Sequence, residues 1–331
     1  MSTIMSDSNN TIRWGIIGCG SVTEVKSGPA YQQTQGFELL AVMRRDRDKA
    51  QDYAQRHGVS KFYDQANNLI DDPDVDAIYI ATPPDSHKEL ALMVAAAGKP
   101  CCIEKPLAPT HEECCAIVSA FAANNIPLFV AYYRRSLPRF EKVKNIFDSG
   151  KIGSVRHIHW QLHKTLNAWD KSRDYNWRTD KKIARAGYFD DLASHGLDLF
   201  AFYFGDYQQA HGIAKNQQGL YSAYDAVTAS WLHSNGITGS GFWNFGCSEN
   251  ADQAEIVGSE GKILFSVFDE KPIRIITAHG EETIHIPNPH HVQLPHVKKL
   301  RDALLHQIPH PSTGASALQS SWVMEEILKK N

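Results

Sequence analysis

The chain predicts an α/β architecture in two parts: an N-terminal doubly wound parallel sheet and a C-terminal α+β region with a large, mostly antiparallel open sheet. Three observations carry this expectation. Short apolar runs alternate with helical patterns from Thr11 to Ala131. A glycine-rich turn, Gly18-Cys19-Gly20, follows the first apolar run directly. After about Tyr132 the pattern changes to residue-by-residue alternation, clearest over Ser154–His163. Strands separated by helices imply parallel pairing with right-handed crossovers. Strict alternation implies a strand covered on one side, as antiparallel sheets allow. A length of 331 residues exceeds most single cores,. The expected division is a loose tail over 1–10, a first domain over 11–131 and a second over 132–331.

In the first domain, Ile12–Ile17 and Phe37–Met43 read as strands. Asp46–His57 is helical in composition and Gly58 stops it,. Asp76–Ala81 is a strand ended by Pro83-Pro84, and Ser86–Ala97 a helix closed by Gly98. Lys99–Ile103, Thr110–Asn124 and Pro127–Ala131 add strand, helix and strand. In the second domain Arg139–Ser149 reads as a helix. Ser154–His163 then puts Ile158, Trp160 and Leu162 on one face and His157, His159, Gln161 and His163 on the other. Strand-like runs follow at Ala226–Leu232, Gly239–Phe245, Glu255–Val257, Ile263–Val267, Ile273–Ile276 and Thr283–Ile286. Helical stretches near His296–Gln307 and Ser316–Lys330 come last.

Composition narrows the function classes. A formal charge of −3 gives no reason to expect nucleic acid or an anionic membrane as partner,. No apolar run reaches the length of a membrane span, and the polar start lacks the regions of a signal peptide,. A cytoplasmic enzyme acting on a small molecule is the default expectation. The six cysteines include adjacent pairs rather than C-x-x-C spacings, so reduced core thiols are expected,.

The turn Gly18-Cys19-Gly20-Ser21-Val22-Thr23 follows a strand and precedes a helix. Gly18 permits a tight turn, and Gly20 lets a pyrophosphate approach backbone N–H groups at the helix start. Gly18, Gly20, Ser21 and Val22 are therefore the candidate dinucleotide cradle. Thr23 replaces the third glycine of G-x-G-x-x-G, which predicts slightly looser helix–strand packing. The second strand ends in Arg44-Arg45, where an NAD enzyme usually carries an acidic residue for the ribose,. Guanidinium groups there match a 2′-phosphate, so NADP is expected in preference to NAD. The other reading makes both arginines surface charges and gives the ribose to Asp46. Thr82 and Pro83 stand at the carboxyl end of a strand, where they would line the cofactor,. His87 either contacts the nicotinamide side or lies on the surface in a first helical turn.

Lys105 follows the buried-looking run Cys101-Cys102-Ile103. A lysine at the end of a core strand is costly unless partnered or used. Pro106 restricts it to extended geometry, and Glu104 is a candidate partner. Asp191 and His195 lie four residues apart. On a helix starting near Asp190 they share a face, about 5–6 Å apart at Cβ. The dipole favours the carboxylate in the first turn, and the carboxylate orients the ring. No third ligand with helpful spacing accompanies them, so no metal is expected; His290, His291 and His296 fall in or beside a stretch, Pro287–Pro295, that reads as surface loop.

Gly18-Cys19-Gly20, Ala81-Thr82-Pro83-Pro84 with His87, Glu104-Lys105-Pro106-Leu107, Gly150-Lys151-Ile152-Gly153, Trp177-Arg178, and Asp191, His195 and Asp198 together resemble the glucose–fructose oxidoreductase/inositol dehydrogenase (Gfo/Idh/MocA) family. The resemblance spans Arg13 to Leu328. It implies a Rossmann domain followed by an α+β domain whose sheet forms an oligomer interface, as in a homodimer or homotetramer. It implies that Lys105 and His195 face a nicotinamide with Asp191 alongside, and a cis bond at Lys105–Pro106. The family's glycine run is reduced here to Ala186-Gly187-Tyr188-Phe189, so the substrate wall is expected to differ.

The expected activity is a reversible NADP- or NAD-dependent oxidation of a secondary alcohol on a sugar, cyclitol or related polyol. His195 would take the hydroxyl proton, Lys105 would stabilise charge on the same oxygen, and Asp191 would hold the histidine tautomer. Tyr132, Arg134, Trp160, Trp177 and Arg178 are candidates for the substrate wall, with Trp160 favoured as core. Two alternatives stand beside it: an NAD-dependent glycosidase using transient oxidation, and a non-catalytic nucleotide-sensing regulator.

Overall fold

The computed structural model describes residues 11–184 and 186–329; the tail expected over 1–10 lies outside the described residues. The chain forms two compact units. The first comprises the residues up to Leu137 together with Pro289–Ala317, and the second comprises Pro138–Asn288 with the residues from Leu318 on. A contiguous boundary at 131/132 therefore differs from the structure: 289–317 belongs with the first unit. The bridge between Phe129 and Thr313 and the Ser312 hydroxyl donating to the Val130 carbonyl (2.7 Å) tie that segment in.

The first unit carries β1 (Ile12–Ile17), α1 (Ser21–Val25), α2 (Gly28–Gln33), β2 (Phe37–Met43), α3 (Arg47–His57), β3 (Lys61–Tyr63), α4 (Ala66–Ile70), β4 (Ala77–Ile80), α5 (His87–Ala96), β5 (Cys101–Ile103), α6 (His111–Ala123) and β6 (Leu128–Val130). Its six strands are all parallel, in the order β3-β2-β1-β4-β5-β6. The order reverses between β1 and β4, and such a point opens a crevice at the carboxyl ends of the strands. Helix ends follow their sequence signals. Asp46 caps α3 by accepting from the Lys49 N–H (3.2 Å), and Gly58 closes it at φ 64°,. The segment after the glycine turn is two short helices rather than one, because Pro29 begins a second. The short β3 and α4 carry too little apolar pattern to be expected from sequence.

The second unit carries α7 (Pro138–Asp148), β7 (Val155–His163), α8 (Ala168–Ser172), α9 (Tyr188–Phe204), β8 (Tyr207–Lys215), β9 (Ala226–His233), β10 (Thr238–Asn244), β11 (Ala251–Gly258), β12 (Gly261–Phe265), β13 (Ile273–Thr277) and β14 (Gly280–Ile284). The eight strands run in the order β14-β13-β12-β11-β7-β10-β9-β8, with β7 and β10 parallel and the other pairs antiparallel. Ile158, Trp160 and Leu162 are wholly buried, as their alternation requires. Trp160 is core: it donates to Asp252 (2.9 Å) and packs edge-on against Trp243 and Phe200. β8 has no counterpart in the sequence reading, since its Gln-Gln-Ala-His-Gly run lacks a strong apolar period.

Two helices complete the described chain, α10 (Leu294–His306) and α11 (Gly314–Leu328). His296 is not on a loop: it sits fully buried in the first turn of α10, its ring 4.6 Å from that of His310. The His310 Nδ1 accepts from the Ser312 N–H (3.0 Å) and its Nε2–H donates to the His296 carbonyl (3.3 Å), an arrangement that suits neutral imidazole,. Burial pushes His310 down to about 4. Between that value and the ordinary 6.5 the unfolded chain binds a proton that the folded chain refuses, so stability falls as pH drops through this window and levels off below it,. The loss expected from His310 alone is about 3 kcal/mol. Urea midpoints at about pH 7 and about pH 4.5 check it; equal midpoints would contradict it.

All six cysteines are free thiols, four of them buried. Among the described residues no helix is long and apolar enough to cross a membrane, and no three metal-ligating side chains gather at one point.

Candidate active site

The glycine turn sits at the crevice where strand order reverses. Gly18 adopts φ 94°, and a Cβ there would fall 2.7 Å from Thr82 Cγ2, so only glycine lets the turn after β1 lie against the end of β4,. Gly20 faces open space: the nearest group to a Cβ at this position would be the Gly18 carbonyl, at 3.8 Å. Thr23 does not loosen the packing as expected. It is fully buried and closes a reciprocal box, its hydroxyl donating to the Gly20 carbonyl (2.8 Å) and accepting from the Gly20 N–H (3.0 Å). The close approach moves to Gly28, where a Cβ would stand 2.3 Å from the Thr23 carbonyl. With the Gly20 N–H taken, Ser21 and Val22 at the start of α1 hold the backbone donors that a pyrophosphate would meet,.

Arg44 and Arg45 follow β2. Arg44 is half-buried and reaches back to the turn, Nη1 donating to the Cys19 carbonyl (3.3 Å), while Arg45 is exposed. Asp46 is engaged as the α3 cap and pairs with Lys49 (2.9 Å), which lowers its pKa.

Glu104 and Lys105 follow β5. Glu104 is buried, and its carboxylate accepts from the Tyr79 hydroxyl (2.5 Å), the Gln293 amide (2.7 Å) and the Lys105 backbone N–H (3.1 Å). The Lys105–Pro106 bond is cis. His87 is wholly buried, so the surface reading is overturned. Its Nε2 lies 2.9 Å from the Thr82 carbonyl and its Nδ1 3.1 Å from that of Pro106 and 3.2 Å from that of Leu107. Both nitrogens therefore face backbone carbonyls, and the single N–H of the neutral ring donates on one side, with the ring packed between the chain after β4 and the chain after β5,. Burial lowers its pKa. Tyr132 and Arg134, two of the substrate-wall candidates, are buried in the turn after β6, with the Arg134 guanidinium over the Tyr133 ring at 5.0 Å.

In the second unit, Gly187 starts α9 at φ 61°, where a Cβ would stand 2.9 Å from the Tyr224 carbonyl. The helix begins at Tyr188, two residues before the expected start, which leaves Asp191 in its first turn and His195 one turn on. Asp191 accepts from Arg178 Nε (3.1 Å), and the Arg178 guanidinium lies over the Trp177 ring (4.4 Å). His195 is buried, edge-on to Phe268. Gly196 lets this helix rest on Trp160, since a Cβ there would be 2.3 Å from the indole. Asp198 is fully buried and accepts from Ser320 (3.0 Å), a structural role. His157 and His159 on the other face of β7 share Ser240 (3.0 and 2.9 Å).

Sequence reasoning missed Tyr79 and Gln293, whose roles depend on strand and helix neighbours distant in the chain. Nothing in the local pattern of either marks it as a partner of Glu104.

Known proteins resemble this chain in sequence and in fold. The oxidoreductase family with an NAD-binding Rossmann fold matches residues 12–132, and the GFO/IDH/MocA C-terminal domain matches 140–264. The chain belongs to the Gfo/Idh/MocA oxidoreductase family. Oxidoreductase P35 of Formosa agariphila is 39% identical over 95% of this chain and 97% of that protein. The 1,5-anhydro-D-fructose reductase of Ensifer adhaerens is 26% identical over 82% of this chain and 80% of its own. A levoglucosan dehydrogenase solved with NADH and levoglucosan shares the fold, with a TM-score of 0.86 at 24% identity over 96% of each chain. As a member of this family the chain is an NAD(P)-dependent dehydrogenase or reductase acting on CH–OH groups, and its cofactor is a nicotinamide dinucleotide.

Proposed function

We propose that the protein interconverts a secondary alcohol and a ketone on a sugar, cyclitol or related polyol, with NADP preferred over NAD. The observation that carries the reaction class is the placement of Lys105: it is the residue after a buried glutamate anchored by Tyr79 and Gln293, at the carboxyl edge of the parallel sheet that holds the glycine turn. The open space at Gly20 fits a dinucleotide backbone. When bound, the nicotinamide accepts or returns a hydride. The work of the chain's own residues is then to hold the reacting oxygen and move its proton. His195 takes the hydroxyl proton in oxidation and returns it in reduction. Lys105 donates a hydrogen bond to the same oxygen as negative charge develops there. Asp191, one helical turn before His195 and held by Arg178, keeps the imidazole in one tautomer,. Trp177 and Arg178 contribute to the substrate wall.

The cofactor preference rests on Arg44. Its guanidinium is placed beside the turn, while the competing acid, Asp46, is engaged as a helix cap. Charge-assisted contacts to a phosphate are worth about 1.5–3 kcal/mol. Arg44→Glu should therefore raise the KM for NADP by about ten- to a hundredfold and leave that for NAD within a few-fold. Steady-state kinetics with both cofactors test this, and a wild-type enzyme with a large preference for NAD would defeat it.

A further inference from the structure

The connection between β12 and β13 runs over 266–272 and belongs to no helix or strand. Two residues suffice to join an antiparallel pair, so this connection is longer than closure requires. Its backbone is nevertheless gripped by two buried charged side chains. Asp252 of β11 is 1% exposed. One of its carboxylate oxygens accepts from the N–H groups of Phe268 (2.5 Å) and Asp269 (3.2 Å), and the other accepts from the Trp160 indole N–H (2.9 Å). Arg139 of α7 is 2% exposed and donates to the carbonyls of Asp269 (2.6 Å) and Lys271 (2.9 Å). The buried Ser266 hydroxyl donates to the Asp252 carbonyl (2.8 Å), which ties down the entry to the loop. Burying a carboxylate and a guanidinium is costly unless their hydrogen bonds are made, and here bonds from both go to the backbone of one loop.

What the gripped loop presents is Phe268. Its half-buried ring stands edge-on to His195 (5.6 Å between centroids, 85°) and near-parallel to Trp160 (6.3 Å, 29°). Trp160 in turn lies under the next residue of α9, Gly196, where a Cβ would meet the indole at 2.3 Å. The two oxygens of Asp252 therefore hold the two aromatic groups that bound this stretch of the helix: the ring beside the imidazole and the indole beneath it. A side chain on a helix keeps rotamer freedom unless packing removes it, and a proton-transfer group displaced by about 1 Å can lose about a hundredfold in rate.

We propose that Phe268 is a positioning residue for His195, fixing the orientation of its imidazole, and that Asp252 and Arg139 act through Phe268 by fixing the loop that carries it. The proposal rests on the reading of His195 as the group that moves the proton. Asp252→Asn is the informative substitution. An amide has one oxygen, so whichever way it turns, its NH2 group faces a donor: the Trp160 indole or the loop N–H groups,. Phe268→Leu removes the ring while keeping an apolar side chain, and Arg139→Met removes the grip on the loop carbonyls while keeping the stem that packs on Phe140.

NMR of the full chain labelled at histidine, together with steady-state kinetics of alcohol oxidation, tests this. The His195 resonance is assigned by its absence from His195→Asn, and Phe268→Leu records its position without the aromatic ring current. Asp252→Asn should move the resonance from the wild-type position towards that of Phe268→Leu. In both variants kcat should fall about tenfold or more while the KM for the nicotinamide cofactor stays within about twofold. A His195 resonance that stays at its wild-type position in Asp252→Asn overturns the proposal, as does a kcat within about twofold of wild type in Phe268→Leu. Circular dichroism establishes that each variant folds; should Asp252→Asn fail to fold, Arg139→Met decides on the same criteria. A kcat left unchanged by His195→Asn sinks the proton-transfer reading instead, and the resonance comparison still decides whether the loop sets the imidazole.

Discussion

Lys105→Met should abolish turnover, lowering kcat/KM by roughly a hundred- to a thousandfold or more. The substitution keeps the length and apolar stem of the side chain and deletes only the ammonium. Its surroundings should persist, because Glu104 grips the backbone N–H rather than depending on the new side chain, and His87 holds the Pro106 and Leu107 carbonyls. Cofactor binding, followed by quenching of intrinsic fluorescence on titration with NADPH, should therefore change little. A loss of turnover with binding retained assigns the ammonium to the reacting oxygen. Turnover within a few-fold of wild type would remove Lys105 from the chemistry.

His195→Asn should lower kcat by about a hundred- to ten-thousandfold, the range for loss of a positioned acid or base. Its second signature is the pH profile. A histidine base works in the neutral form, so the rate of alcohol oxidation rises as pH increases through its titration; in the variant that limb should vanish. The ring is buried against Phe268 and its helix rests on Trp160 through Gly196, so asparagine enters a rigid surround,. Thermal melts establish that the variant folds. A profile of unchanged shape, merely scaled down, would mean that the proton goes elsewhere and that His195 is a packing residue.

Much of the fold is legible in the sequence because it rests on local physics. β1 and β2 begin and end where their apolar runs do, and Gly58 ends α3 as its sequence signal requires. The two-residue period of Ser154–His163 reveals which face of β7 is core. The elements that escape notice are those whose existence depends on neighbours. β3 has no buried residue and is held by pairing to β2. β8 keeps Gln208, Gln209 and His211 exposed and is a strand by virtue of β9.

The candidate site divides the same way. Residue type and spacing by themselves determined the parallel nucleotide-type sheet with its glycine turn and the Lys105 and Asp191/His195 candidates. Each follows from short-range geometry: a turn needing glycine, a strand end, a helical repeat. Tertiary structure alone decided what surrounds them. It buried His87 against the backbone instead of leaving it on the surface, gave Glu104 to Tyr79 and Gln293, moved His296 into the core, and set Tyr188 and Asp170 against one cavity. The reason is that burial and hydrogen-bond partnership belong to pairs of residues far apart in the chain, such as Glu104 and Gln293, and no local pattern records which distant group will complete a buried polar atom,.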